Sequence, residues 1–226
     1  MPATAQAAPV GNPWFSWSYV RDNADTILAA LQEHVILTVV SVLLGALIAL
    51  PLAVLARRSA GLSAVVLGGS SIIYTVPSLA MFAFLAPYTG LQIETVIIGL
   101  VLYSLVILVR SFLAGLQAVP PEAKEAALGM GYGPARMLFQ VELPLAAPTF
   151  IAGLRIATVS TVALATVGVI VGFGGLGNPL ISGFNNNFFR AQIATAAVLC
   201  VLLALAFDLL LALTGRVLTP WSRGRA

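Results

Sequence analysis

The chain is 226 residues long, 60% hydrophobic and only 8% charged, with a formal charge of +3 at pH 7. A soluble domain carries about 25% charged residues, so this chain lacks the polar side chains to cover a water-exposed surface, and most of its surface must meet lipid. The length suits one domain, and the eleven basic residues are scattered rather than clustered, which excludes a nucleic-acid partner.

The first segment, MPATAQAAPVGNPWFSW, has no basic stretch leading into an apolar core. It reads as an extracytoplasmic tail rather than a cleaved leader. Trp14, Trp17 and Tyr19 are candidate anchors at a membrane interface, the alternative being an unstructured tail with incidental aromatics. Residues 17–33 are mixed in polarity and form a candidate interfacial helix.

A bilayer-spanning helix needs about 20 mostly apolar residues. Val35 to Ala56 is uncharged and ends at Arg57-Arg58, giving span one. Ser59 to Ile93 is uncharged for longer than one helix needs. It is read as span two over 63–86, a turn around Pro87 to Gly90, and the start of span three. Gly68-Gly69, Ser70-Ser71 and Pro77 interrupt span two, and a broken helix in lipid must be covered by protein or line a cavity. Span three runs from Glu94 to Leu116, with Arg110 near its far end. Span four runs from Leu145 to Val171, and span five from Ala191 to Gly215. A glycine-rich turn, GFGGLGNP, lies between them at 172–179. The expected architecture is an all-α integral membrane protein of about five transmembrane helices. It comprises a tail at 1–30, a transmembrane domain at 31–216 and a basic cytoplasmic tail at 217–226.

With the 117–143 loop in the cytoplasm, nine Lys and Arg residues fall at the inner face and only Arg21 and Arg190 outside. The positive-inside rule then predicts an outside N-terminus and a cytoplasmic C-terminus.

The catalytic repertoire is thin. The one lysine, Lys124, follows Pro-Glu-Ala, so there is no phosphate-binding GxxxxGK[ST] loop. The one histidine, His34, at the mouth of span one, reads as an interfacial or capping residue. No His/Cys set offers a metal site. Cys200 is a lone apolar packing residue. No catalytic residue, metal or cofactor is expected.

The informative segment is PPEAKEAALGMGYGPARMLFQVELPLAAP at 120–148. Pro120-Pro121 starts a helix with Glu122 and Glu125 in its first turns. Gly129, Gly131 and Gly133 stop it. Pro134 starts a second short helix in which Met137, Leu138 and Val141 share a face, and Pro144 breaks that one before span four. The outcome is a helix–turn–helix at the membrane surface whose Ala and Gly positions leave room for another protein.

Glu125-Ala126-Ala127, three residues, Gly131, nine residues, then Val141-Glu142-Leu143-Pro144 resembles the EAA loop of bacterial ABC importer permeases, the MetI-like fold. The resemblance covers residues 30–215. TVPSLAMFAFL (75–85), VLYSLVILVRSFLAGL (101–116), ALGMGYGPARMLFQVELPLAAPTFIAGLRIATV (127–159) and GFGGLGNPLISG (172–183) are similar to the osmoprotectant branch, which imports glycine betaine, choline, carnitine or proline. Arg110-Ser111-Phe112 departs from the Arg-Asn-Thr expected there. The resemblance implies a permease subunit in a bacterial cell membrane. Its partners would be ATP-binding cassette ATPase subunits, an extracytoplasmic substrate-binding protein, a second permease subunit (identical or sister) and membrane lipid. Glu125, Ala126, Ala127, Gly131, Val141, Leu143 and Pro144 would form the ATPase-coupling loop. ATP hydrolysis would belong to the partner.

Arg155 and Asp208 are ionisable residues inside spans and are expensive unless paired or hydrated. They are candidate pore or gate residues, with Gly174, Gly175 and Gly177. The structural alternative has Arg155 reaching the inner interface and Asp208 capping or pairing. Methionine or another amino acid is the alternative substrate. An ion-gradient transporter or channel subunit is the alternative class.

Overall fold

A computed structural model describes residues 11–221. Among them every regular element is helical. In chain order these are α1 (Trp17–Asp22), α2 (Ala24–Ala56), α3 (Ala60–Thr75), α4 (Ser78–Thr89), α5 (Ile93–Gln117), α6 (Pro121–Gly129) and α7 (Pro134–Met137). A π-helical turn (Leu138–Glu142) leads into α8 (Leu143–Ala165), a 3-10 turn (Thr166–Val171), α9 (Gly177–Asn185) and α10 (Arg190–Leu218). In hydrocarbon a helix satisfies its backbone donors and acceptors internally, which is why an apolar chain takes this form. Helices α2 and α5, the run Pro134–Val171, and α10 are each long and apolar enough to cross a membrane. The bent pair α3 and α4 makes a fifth crossing if counted as one span. The expected all-α membrane architecture therefore stands. Residues 1–10 and 222–226, with Arg223 and Arg225, lie outside the described residues.

Several boundaries differ from expectation. The stretch 17–33 is not one interfacial helix: α1 ends at Asp22, Asn23 interrupts, and α2 already runs from Ala24. Position 31 thus falls inside a continuous helix. At about 1.5 Å per residue, α2 is about 50 Å long, so its polar first turns extend past a hydrocarbon layer of about 30 Å. Span two is interrupted at Val76–Pro77, as expected, and the turn expected around Pro87 to Gly90 comes at its last residue. Proline forces the preceding residue out of the helical region, and Val76 sits at φ −67°, ψ 126°. Pro87 is carried inside α4, which ends at Gly90, where φ is +82°. The Tyr103 hydroxyl donates to the Val76 carbonyl freed by the break. Pro144 does not break the second loop helix. Its missing N–H and its ring disrupt an ordinary α turn, and the wider turn just before it absorbs the defect, with Leu143 N–H bonding the Leu138 carbonyl five residues back. Helix α9 was not expected, because its nine residues mix Gly, Asn and Pro with apolar side chains.

The chain divides into two compact units. Unit one takes the residues up to Ser41 together with Pro77–Leu100 and Ser160–Ala206. Its core joins Leu37, Phe82, Val96, Leu100, Ala165 and Val171. A second cluster in the same unit holds Tyr19, Ile27, Phe189 and Ala191. Tyr19 is therefore no interfacial anchor: it is buried, with its ring edge-on to Phe189 at 5.2 Å. Trp14 and Trp17 remain exposed. The segment before α1 is tied down, since Asn12 donates to the Phe188 carbonyl and accepts from the Arg190 N–H.

Unit two takes Val42–Val76, Val101–Val159 and the chain from Phe207. Its core packs Ala49, Ala53 and Ala56 of α2 against Leu105, Leu108, Phe112 and Leu116 of α5 and Ala146 and Ala157 of α8. Small residues on α2 and α8 allow close helix approach.

Candidate functional site

The loop between α5 and α8 lies wholly in unit two. Pro120 and Pro121 start α6 as expected, because a proline at the first helical position loses nothing. The helix ends in a Schellman motif. Gly131 N–H bonds the Leu128 carbonyl at 2.9 Å, and Tyr132 N–H bonds the Ala127 carbonyl at 3.0 Å. The motif places Gly131 at φ +78°, where only glycine is unstrained.

Seven loop residues were singled out from sequence. Glu125, Ala126 and Gly131 are exposed. Ala127 is buried, so it packs inside the unit rather than facing outward. Val141, Leu143 and Pro144 are half-buried, in and after the π-helical turn. Sequence reasoning passed over the apolar side chains beside them. Leu128, Met130 and Phe139 are each more than three-fifths exposed. Like the small Ala126 and Gly131, these are left open on a polar loop. Arg136 stacks over the Tyr132 ring at 4.0 Å and donates to Gln140.

It also passed over Glu142. This carboxylate is buried and is shared by Arg57, just beyond α2, and by Lys124 of α6, whose Nζ lies 3.5 Å from Oε1. Arg57 forms the closer contact, donating through Nη1 to Oε2. One acid thus fastens the end of α2, the first loop helix and the start of α8. A signal was present in the sequence, since Glu142 is the only acid between Glu125 and Asp208.

Arg155 and Asp208 do meet. Arg155 Nε and Nη2 donate to the two carboxylate oxygens of Asp208 at 2.8 and 2.7 Å. The bidentate fork links α8 to α10 within unit two, and both side chains stay more than a third accessible. Pairing was the structural alternative considered for Asp208. Arg110 donates to Ser71 at 2.8 Å.

Gly174, Gly175 and Gly177 lie in unit one and are buried. A Cβ on Gly177 would sit 2.3 Å from the Thr166 carbonyl oxygen, and one on Gly175 2.7 Å from the His34 Cβ. Close packing accounts for the missing side chains at these two. His34 is no interfacial or capping residue: it lies well inside α2 and is fully buried. Its Nδ1 accepts from the Leu176 N–H at 3.2 Å, so Nε2 carries the proton and donates to the Val162 carbonyl at 3.0 Å. Glu33, next in the chain, accepts from the Gly175 N–H at 2.8 Å. Asn178 accepts from the Gly174 N–H at 3.3 Å. Neighbouring side chains of α2 therefore pin the glycine-rich turn to that helix. Among the described residues no group of three or more His, Cys, Asp and Glu side chains is placed to hold a metal.

Residues 25–223 match the family described as the binding-protein-dependent transport system inner membrane component. The chain is 35% identical to the choline transport system permease protein OpuBB of Bacillus subtilis, over 89% of this chain and 93% of that one. It is 34% identical to the glycine betaine/carnitine/choline transport system permease protein OpuCD of the same organism, over 90% and 89%. It is also 34% identical to the osmoprotectant import permease protein OsmW of Salmonella typhimurium, over 89% and 96%. Its fold resembles a chain of the inward-facing MetNI methionine ABC transporter, with a TM-score of 0.77 at 24% identity over 84% of this chain and 94% of that one. An amino acid ABC transporter structure matches at 0.72 and 23% identity, over 89% and 98%. The fold, the loop and these likenesses agree: the chain belongs to the binding-protein-dependent ABC importer permeases, the inner-membrane components of such transport systems.

Proposed function

We propose that this permease imports an osmoprotectant with a quaternary ammonium head, of the glycine betaine, choline and carnitine kind. The observation that carries the reading is the likeness, along about nine-tenths of the chain, to permeases named for those solutes. The methionine and amino acid transporters share the fold at under 25% identity, which supports the architecture and not a substrate. Family membership removes the ion-gradient transporter and channel alternatives.

In this reading the transmembrane domain spans 31–216, between an outer tail and a basic cytoplasmic one. It pairs with an identical or sister permease and works with two ATPase subunits and an extracytoplasmic binding protein. The segments that carry most of the basic residues face the cytoplasm. Unit two contains Arg57, Arg58, Arg110, Lys124, Arg136, Arg155 and Arg216, whereas unit one contains Arg21 and Arg190, and positive residues favour the inner side.

The ATPase docks on the α6–α7 loop. Glu125, Ala126 and Gly131 and the exposed Leu128, Met130 and Phe139 form its contact surface. Glu142, held by Arg57 and Lys124, makes loop and spans move together. ATP-driven closure of the partner then shifts α6, and the ion pairs pass the movement to α2 and α8.

Reconstitution tests this. Vesicles holding the permease, its ATPase and its binding protein should take up choline or glycine betaine only with internal ATP, and an ionophore should not stop them. Uptake of methionine with no uptake of any quaternary amine would overturn the substrate reading.

A further inference from the structure

Unit one contains an open polar cleft of about 550 Å³, bounded by α1, the start of α2, α9 and the start of α10. Volumes of about 300–1,000 Å³ hold small-molecule ligands. Among the described residues Glu33 is the only charged one that lines it. Glu33 stands in the polar first turns of α2, and only one of its carboxylate oxygens is hydrogen-bonded to the protein among the described residues. Oε1 accepts from the Gly175 N–H, and among the described residues Oε2 has no hydrogen-bond partner.

The rest of the wall is neutral and hydrogen-bonding. Tyr19, Thr26, Asn178, Ser182 and Gln192 all border the space. The Tyr19 ring is fixed edge-on against Phe189, and burial pushes its phenol above the ordinary value, so the hydroxyl stays a donor. The cleft thus has one fixed negative charge at the Glu33 end and uncharged donors and acceptors around it. An anion would be repelled and a neutral apolar molecule would leave the amides unpaired. A small solute with a cationic head and a hydroxyl or carboxylate tail satisfies both parts.

We propose that this cleft is a solute site within the permease itself, taking the ammonium head at Glu33 and the polar tail at the Tyr19, Ser182 and Gln192 wall. It rests on the functional reading above and deepens it. The permease then holds the solute on its own surface, in addition to whatever the binding protein holds.

The test uses the permease–ATPase complex, purified without the binding protein, and radiolabelled choline. Choline should bind saturably, and glycine betaine should compete. Its uncharged carbon isostere, 3,3-dimethylbutan-1-ol, should not. Glu33→Gln keeps an oxygen for the Gly175 N–H but loses the charge, and should weaken choline binding by about tenfold or more. Tyr19→Phe keeps the ring contact with Phe189 and should weaken it less. Absence of saturable binding to the unaltered complex, equal binding by Glu33→Gln, or competition by the isostere as strong as by choline would each overturn the site. The same preparation, with binding protein in vesicles, separates the two readings. Import of choline by a complex that binds none alone removes the cleft and leaves the function. Import of no quaternary amine removes the functional reading, and choline binding then decides the cleft alone.

Discussion

Arg155 and Asp208 make a two-pronged ion pair, with both guanidinium contacts under 3 Å, between α8 and α10. Neither charge is stable alone on an apolar helix. Asp208→Asn and Arg155→Gln should each lower the melting temperature of the detergent-purified protein. Exchanging the two, Arg155→Asp with Asp208→Arg, should recover part of the loss. Single variants that melt like the unaltered protein would show that the pair contributes nothing to stability.

Glu142 offers a sharper test, because it is buried and serves two cations. Glu142→Ala leaves Arg57 and Lys124, both partly accessible to solvent, without the acid that ties them together. The loop should loosen while the spans still insert. Limited trypsin digestion should then cut after Lys124 and Arg136 markedly faster than in the unaltered protein.

Gly131 has open space around its Cα, with nothing within 4 Å of an added Cβ. A substitution there acts through the backbone. Gly131→Ala should cost about 1–2 kcal/mol from the left-handed conformation alone, and Gly131→Asn less, since asparagine tolerates that region. Gly131→Asp adds a charge on the proposed docking surface. Pull-down of the ATPase should therefore decline from glycine to asparagine to alanine, with aspartate weakest. Full retention by the aspartate variant would separate this loop from the ATPase.

His34 predicts a local rather than global effect. His34→Phe removes the acceptor of the Leu176 N–H and leaves that buried donor unpaired, at about 1–3 kcal/mol. Hydrogen exchange over 172–180 should accelerate, while exchange in α5 should not change.

Orientation is checked by reporters. A fusion at the C-terminus should be cytoplasmic, and one inserted near Asn186 should lie outside. A cytoplasmic signal at 186 would contradict the proposed topology.

The long apolar helices were legible because hydropathy is local. Span three, expected at 94–116, is α5 at Ile93–Gln117, and span five, expected at 191–215, is α10 at Arg190–Leu218. Gly131 was legible too, since proline starts and glycine stops are written in short windows. What escaped depends on distance along the chain. Glu142 meets Arg57 across 85 positions, and His34 meets Leu176 across 142. Neither residue carries a local pattern that names its partner. Pro77 and Pro87 look alike in sequence. One breaks a helix and the other rides inside it, and the choice is made by which carbonyl finds another donor, as Val76 finds Tyr103.

The π-helical turn at Leu138–Glu142 sets an angle. Each residue of an α-helix advances about 100° around the axis, and a wide turn holds one residue more than the regular spiral would. Everything before it is therefore rotated by roughly a quarter turn relative to α8. The face that α7 presents outward and the face that α8 buries through Ala146 and Ala157 are set in phase by this one surplus residue. The loop is aimed by residue count as well as by side-chain chemistry. Losing a single position there would turn the proposed docking face away while leaving every apolar residue of α8 in place.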